Sequence, residues 1–198
     1  MTYIYIKLTI MKKQHLMPAL FIAVILGGIL SLQSCGKLAN LLNFKLNMQT
    51  DSVNVTIPIT TGVNGEITVG PAVTIYNVDS FIHAQTGNQL GISNITSVKI
   101  QAVTFTLSNP DSLNNFQDFS SVSANFSSNT NPNPYTVSIP NNPDVYAATL
   151  SVPVDTSVEL KTYLGTQFSY TLIGKLRRST TKPLNCTITF KFNVAVQG

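Results

Sequence analysis

Between Cys186 and Val196 every second residue is apolar: Cys186, Ile188, Phe190, Phe192, Val194 and Val196 share one parity. A repeat of two places successive side chains on opposite faces of an extended chain, so this run is satisfied only as a strand with one buried face. Six inward positions in a row are read as a central strand. They set the terms for the other segments, which must supply strands to flank it and a second layer to cover it.

The same period recurs along the chain. Phe44, Leu46 and Met48 alternate with polar residues, as do Val53, Val55, Ile57 and Ile59. Asn64-Gly65 is a tight-turn signal and predicts a hairpin between the runs that flank it. In the segment 95–108 Val98 and Ile100 share one phase, whereas Val103, Phe105 and Leu107 share the other, so a β-bulge is expected near Gln101-Ala102. Further strands are read from Val122, Ala124, Phe126; from Tyr135, Val137, Ile139; and from Tyr146, Ala148, Leu150, Val152, Val154. The polar Pro/Asn stretch 127–134 is expected as an exposed loop. Phe168, Tyr170 and Leu172 predict a strand that pairs with the last one as a terminal hairpin.

Two short helices interrupt this pattern. One is expected after Asp79, read as its cap, with Phe81, Ile82 and Leu90 inward and Gly87 ending it. The other, the better by pattern, runs through Val158, Leu160, Tyr163 and Leu164 from a cap at Asp155-Thr156-Ser157 to Gly165. The expected fold class is all-β, an antiparallel β-sandwich of immunoglobulin-like or late-embryogenesis-abundant-like type with one or two short helices.

Ahead of these strands lies an uncharged apolar run, residues 16–32, preceded by Lys12 and Lys13 and followed by Leu32-Gln33-Ser34-Cys35. Charged n-region, apolar core and small-residue cleavage site are the parts of a secretory signal. The tetrapeptide resembles the lipobox of bacterial lipoproteins, with Leu32 in the apolar position and Ser34 in the small position before the cysteine. Gln33 is looser than the commonest patterns. The resemblance implies diacylglyceryl attachment to the Cys35 thiol, cleavage before it and acylation of the new amino terminus. Gly36, where an inner-membrane retention signal would carry aspartate, implies the outer membrane, on either leaflet. The alternative is a plain transmembrane anchor, for which seventeen apolar residues lie at the short end of the roughly 17–25 required. Met11-Lys12-Lys13 is a better signal start than Met1, so residues 1–10 read as an upstream extension. The expected organisation is therefore a signal over 1–34, a lipidated tether over 35–43 and one sandwich domain over 44–198.

Removing the signal changes the charge. From Cys35 onward nine Lys and Arg face eight Asp and Glu, a net charge of +1, and the basic footprint of a nucleic-acid binder is not there. About 164 residues suffice for one core that buries roughly two-thirds of the unfolded surface. With Cys35 consumed by lipid, Cys186 is alone; it is expected as a core residue, and no intramolecular disulfide is available.

A second resemblance rests on Ser108-Asn109-Pro110-Asp111 after a strand, then Leu150-Ser151-Val152-Pro153-Val154, then residues 170–176, Tyr-Thr-Leu-Ile-Gly-Lys-Leu. In this order they look like the water-stress and late-embryogenesis-abundant type 2 domain, over about Ile95 to Val194. The family's usual Asn-Pro-Asn is Asn-Pro-Asp here. The resemblance implies a β-sandwich with a short helix and a binding or stress-related role with no catalysis.

The chemistry-bearing residues are few. After cleavage His83 is the one histidine left, so a Ser/His/Asp hydrolase would have to be built on it, with Asp79 four positions earlier. A capping aspartate beside a surface histidine explains the pair more simply. No nucleophile elbow, zinc, phosphate-loop or calcium-loop pattern occurs, and no metal or cofactor is expected. The scattered carboxylates, mostly beside turn residues, fit capping better than a glycosidase pair. Lys175, Arg177, Arg178 and Lys182 concentrate positive charge at an expected hairpin tip, either as a patch for lipid phosphate, anionic glycan or an acidic partner, or as a solvated device that blocks edge pairing. Asp51-Ser52-Val53 and Asp111-Ser112-Leu113 resemble bacterial periplasmic O-glycosylation sites, with Ser52 and Ser112 as acceptors.

The functional expectation is a non-catalytic binding or structural module of the bacterial envelope, held to the membrane by its N-terminal lipid, with an envelope protein or a glycan as partner. That role predicts an apolar or aromatic exterior patch. The alternative, a carrier of an apolar or glycan ligand, predicts a cavity between the sheets or an aromatic groove. The hydrolase alternative predicts His83 in a pocket with a carboxylate and a hydroxyl.

Overall fold

The alternating C-terminal run forms the strand Leu184–Gln197, with all six of its even-numbered apolar side chains from Cys186 to Val196 buried. The computed structural model describes residues 43–50 and 52–198; the apolar run, Cys35 and the segment up to residue 42 lie outside the described residues. In chain order the strands are β1 (Asn43–Gln49), β2 (Val53–Ile57), β3 (Glu66–Ile75), β4 (Ile95–Leu107), β5 (Phe119–Ser128), β6 (Tyr135–Ile139), β7 (Thr149–Val152), β8 (Gln167–Leu176) and β9 (Leu184–Gln197). One α-helix, α1 (Val78–Gln85), lies between β3 and β4.

Two antiparallel sheets result, β1-β9-β4-β7 with β2 also paired to β9, and β3-β8-β5-β6. They pack face to face as a β-sandwich within the unit Asn43–Gln197. β9 is central, as its alternation requires. Along one of its edges β1 covers Lys191 to Gln197 and β2 covers Leu184 to Ile188. From Gln49 to Val53 that edge advances four residues against three in β9, so it is one strand line broken by an extra residue. The phase change in β4 has its expected cause: the register against β9 shifts between Ile100 and Ala102, leaving Gln101 unpaired and Val98, Ile100, Val103 and Phe105 all inward.

Both expected hairpins around the first and last turns are corrected. The Asn64 turn exists, with Asn64 at φ 64°, but β2 belongs to one sheet and β3 to the other. β8 and β9 are likewise in different sheets, so the chain crosses the sandwich at residues 177–183. The crossings β2 to β3, β4 to β5, β6 to β7 and β8 to β9 are four arches at one end of the sandwich, here the arch end. Among the described residues β5 and β6 are the one consecutive pair joined as a hairpin. The physical reason is that alternation fixes which face a strand buries, not which neighbour it pairs with.

The helices are corrected as well. α1 is capped by Asn77, whose side chain accepts from the Ser80 N–H at 2.9 Å, so Asp79 falls in its first turn instead of capping it. Val78, Ile82 and Leu90 are buried as this segment closes the end where β1 begins, the β1 end. The predicted helix over 158–164 is reduced to a 3₁₀ turn at Lys161–Tyr163. Backbone pairing with β4 competes for it: the Leu160 N–H donates to the Val98 carbonyl at 2.7 Å, and Lys99 bridges Glu159. Asp155 instead accepts from the Ser157 N–H and hydroxyl as a local turn.

The core is aromatic at its centre. The Phe126 ring lies 5.5 Å from Tyr163 and 5.6 Å from each of Phe168, Tyr170, Phe190 and Phe192. Toward the arch end the sheets close further, and a Cβ on Gly174 would come within 2.8 Å of the Phe119 ring. Phe126→Ala deletes the ring on which five others converge and is expected to cost about 3–5 kcal/mol, read as a lower urea midpoint; a loss under about 1 kcal/mol would mean the cluster can collapse into the space.

Candidate functional site

The arch end holds most of the residues singled out by sequence, and its local chemistry follows from the crossings. A chain that leaves one sheet for the other loses its ladder partners, and buried backbone groups there need substitutes. Asn, Thr and Asp side chains supply them. Thr60 and Thr180, both buried, exchange backbone and hydroxyl hydrogen bonds between the first and last arches. Asn114 accepts from the Thr181 N–H at 2.7 Å, and the Asn115 side-chain Oδ1 accepts from the Gln117 and Ala147 N–H groups. Asn142 donates to the carbonyls of Phe116 and Phe119 at 2.7 and 2.9 Å. Asp118 accepts from the Asn115 N–H at 3.1 Å, and burial pushes its carboxyl above the usual range.

Three of the four predicted patch cations are spent inside this clasp. The Arg177 guanidinium donates to the carbonyls of Gln117, Pro143 and Asn142. Arg178 pairs with Asp144, and Lys182 with Asp111 at 2.6 Å. The Asp111 carboxyl is held below the ordinary range by Lys182, Asn114 and the Leu113 N–H, and Asp144 is lowered chiefly by Arg178. Lys175 stands apart on β8, exposed opposite Glu66, with no ion pair among the described residues. The cations are thus brought to one end of the fold, on an arch instead of a hairpin tip, and mostly neutralised there.

Large apolar side chains project from the same arches. Leu113 is 69 % exposed, Ile59 54 % and Tyr146 52 %, with Val63 and Val145 more than half exposed beside them in sequence. Ile59 and Tyr146 continue the alternation of their strands and read as inward positions, but the strands stop at Ile57 and begin at Thr149, so both fall on arches. The missed signal is an apolar residue set among turn formers, as in Pro58-Ile59, Ser112-Leu113-Asn114 and Asp144-Val145.

At the opposite, β1 end, His83 does meet Asp79, Nε2 to Oδ2 at 3.3 Å. The other Asp79 oxygen accepts from the Ile92 N–H at 2.7 Å, and a Cβ on Gly91 would lie 2.8 Å from that oxygen. The pair therefore fastens α1 to the following loop. His83 opens onto a shallow surface formed with Ser80, Ala84 and Asn88, and no hydroxyl among the described residues is hydrogen-bonded to it. Among the described residues no group of three His, Cys, Asp or Glu is placed to hold a metal. Burial pushes the Cys186 thiol up to about 12, which leaves it unreactive at neutral pH.

The two acceptor triplets differ. Ser112 and Leu113 are both exposed on an arch, whereas Val53 is buried in β2 and the Ser52 hydroxyl lies 3.3 Å from that of Thr189. Between the sheets the space lined by Met48, Val98, Phe126, Leu160, Phe168 and Phe192 amounts to about 10 Å³, room for one water at most. A polar surface cup of about 280 Å³ lies beside the β4 bulge, formed by Asn47, Gln49, Gln101 and Lys191 without an aromatic ring. No helix among the described residues is long and apolar enough to cross a membrane.

Two outcomes test the clasp. Asn142→Ala bares the Phe116 and Phe119 carbonyls and is expected to cost roughly 1–3 kcal/mol per group left unpaired, measured by urea unfolding. Asp111 and Asp144 have folded pKa values below their unfolded ones, so the stability they add is present above about pH 4 and is lost as the pH falls through the folded values. Asp118, shifted up, works in the opposite sense. Asp111→Asn is expected to flatten the fall of the urea midpoint below about pH 4; an unchanged acid limb would remove Lys182–Asp111 from the account.

No protein-family profile and no curated protein sequence matches the chain. Solved structures to which parts of the chain are similar include three from viruses. Infectious bursal disease virus Gx strain has 10% identity and a TM-score of 0.36, covering 79% of this chain and 33% of that one, so this chain spans about a third of its length. The decameric BFDV capsid protein has 9% identity and a TM-score of 0.36, covering 79% and 100%. Turnip yellow mosaic virus has 12% identity and a TM-score of 0.29, covering 79% and 94%.

Proposed function

We propose that the chain is a lipoprotein of the bacterial envelope, anchored through Cys35, whose sandwich serves as a non-catalytic interaction module. The anchor rests on the sequence from Lys12 to Cys35, in which a charged start, an uncharged apolar run and a small residue before cysteine stand in the order a lipoprotein signal requires. One acyl chain binds a membrane reversibly and further chains make the attachment lasting. Gly36 in place of aspartate favours the outer membrane.

The observation that carries the interaction role is the group of apolar side chains on the arches. Leu113, Val145 and Tyr146 stand out on loops whose own backbones are fixed by Asn115 and Asn142, so they are presented on a preordered base. Rigid apolar tips lose little entropy when covered, the condition for a protein-binding surface. A carrier role has less support, because the aromatic cluster fills the space between the sheets. A hydrolase role has less still, since Asp79 is engaged by the Ile92 N–H and no hydroxyl among the described residues is hydrogen-bonded to His83.

The experiment is metabolic labelling with palmitate and membrane fractionation of wild type and Cys35→Ala. Loss of both label and outer-membrane association in the variant is the expected result. Retained membrane association without label in either protein would make residues 16–32 a transmembrane anchor and refute the lipoprotein reading.

A further inference from the structure

The second group of exposed apolar side chains lies at the β1 end. Ile75 is 78 % exposed and Ile92 40 %, with Val73 also outward. Val73 and Ile75 point away from the core on β3, the edge strand of its sheet. The backbone ties this group to the place where the chain enters the sandwich. Asn43 pairs with Gln197, and the Asn94 side chain donates to the Gln197 carbonyl at 3.0 Å, which sets the loop bearing Ile92 beside the start of β1. Asp79, four residues after Ile75, accepts from the Ile92 N–H at 2.7 Å and draws the two apolar positions to the same end.

We propose that this end rests on the lipid leaflet that holds the Cys35 acyl chains, with Ile75 and Ile92 seated at the headgroup boundary. The inference rests on the reading of Cys35 as lipidated. Its physical basis is the short connection: eight residue steps separate Cys35 from Asn43, and even fully extended they reach only about 28 Å. β9 alone, at 14 residues, is roughly 45 Å long. The tether thus keeps the β1 end within about 28 Å of the acylated cysteine, and seating Ile75 and Ile92 on the leaflet puts the arch end farthest from it.

The charges at this end are mixed: Asp155 and Glu159 stay ionised, with Lys99 near both to offset them. Asp79 is engaged by His83 and Ile92, Asp155 by Ser157, and Glu159 by the Ser97 hydroxyl and the Val98 and Lys161 N–H groups. Lys45, exposed two residues into β1, makes no ion pair among the described residues and is free for lipid phosphate. Lys37 lies within the connecting segment.

The test uses the full lipidated protein in vesicles of phosphatidylethanolamine and phosphatidylglycerol. Ile75→Cys, Ile92→Cys, Leu113→Cys and Val145→Cys are each labelled with an environment-sensitive maleimide dye; buried Cys186 and acylated Cys35 stay unlabelled, which the parent protein controls. Brominated lipid is expected to quench the dye at positions 75 and 92 several-fold more than at 113 and 145. A protein that floats with the vesicles but shows equal, weak quenching at all four positions overturns this orientation and leaves the lipidation standing. Excimer emission from pyrene at position 75 without quenching gives the face to a second copy and also overturns it. A protein that does not float overturns both readings.

Discussion

The structure depends on how its four arches are satisfied. An antiparallel pair joined by a hairpin keeps its ladder up to the turn, but a strand that crosses to the other sheet abandons its partners within a residue or two. Here four such crossings occur at one end, and the groups they bare are met by Thr60, Asn114, Asn115, Asn142, Thr180 and the Arg177 guanidinium. Each of these side chains spans two arches or two turns of one arch. Removing Asn142 strands the Phe116 and Phe119 carbonyls, which belong to buried residues.

The opposite half is held by a different force. There the closing contacts are rings, with Phe126 among Tyr163, Phe168, Tyr170, Phe190 and Phe192, and the space is covered by Leu160 from the segment laid along β4. Dispersion and area burial fill that half without direction. Hydrogen bonds at the arches fix geometry without adding much apolar area. Among the described residues the space beside the ring cluster is thereby reduced to about 10 Å³, and toward the arches Ile57, Phe116, Phe119 and Leu172 close the sheets beneath the paired amides.

The sequence made the strands legible and the connections not. Parity alone located β9 as central and placed a bulge at Gln101, because a buried face tolerates no slip of one residue. It could not distinguish a hairpin from an arch at Asn64-Gly65 or at 177–183, since both begin and end with inward side chains. The segment 158–164 carries helical spacing, yet the Leu160 N–H donating to the Val98 carbonyl and the Glu159 carboxylate accepting from the Val98 N–H outcompete a helix too short to nucleate by itself. The arch-end cations were legible as a cluster, but their acidic and carbonyl partners lie more than thirty residues away in sequence for Arg177 and Arg178 and more than seventy for Lys182.

Spending those cations internally shapes the surface that the arch end presents. Were Arg177, Arg178 and Lys182 free, a long-range positive field would gather any anion, and selectivity would rest on charge. With Arg178 on Asp144 and Lys182 on Asp111 much of that field is offset, and Leu113, Val145, Tyr146, Ile59 and Val63 are the large apolar side chains exposed there. A surface of that composition can engage another only through shape and apolar contact, which act at close range and need a fixed base. The neighbouring arginine supplies the fixing, because Arg177 clamps the carbonyls of Gln117 and Asn142 beneath the arches that carry the tips.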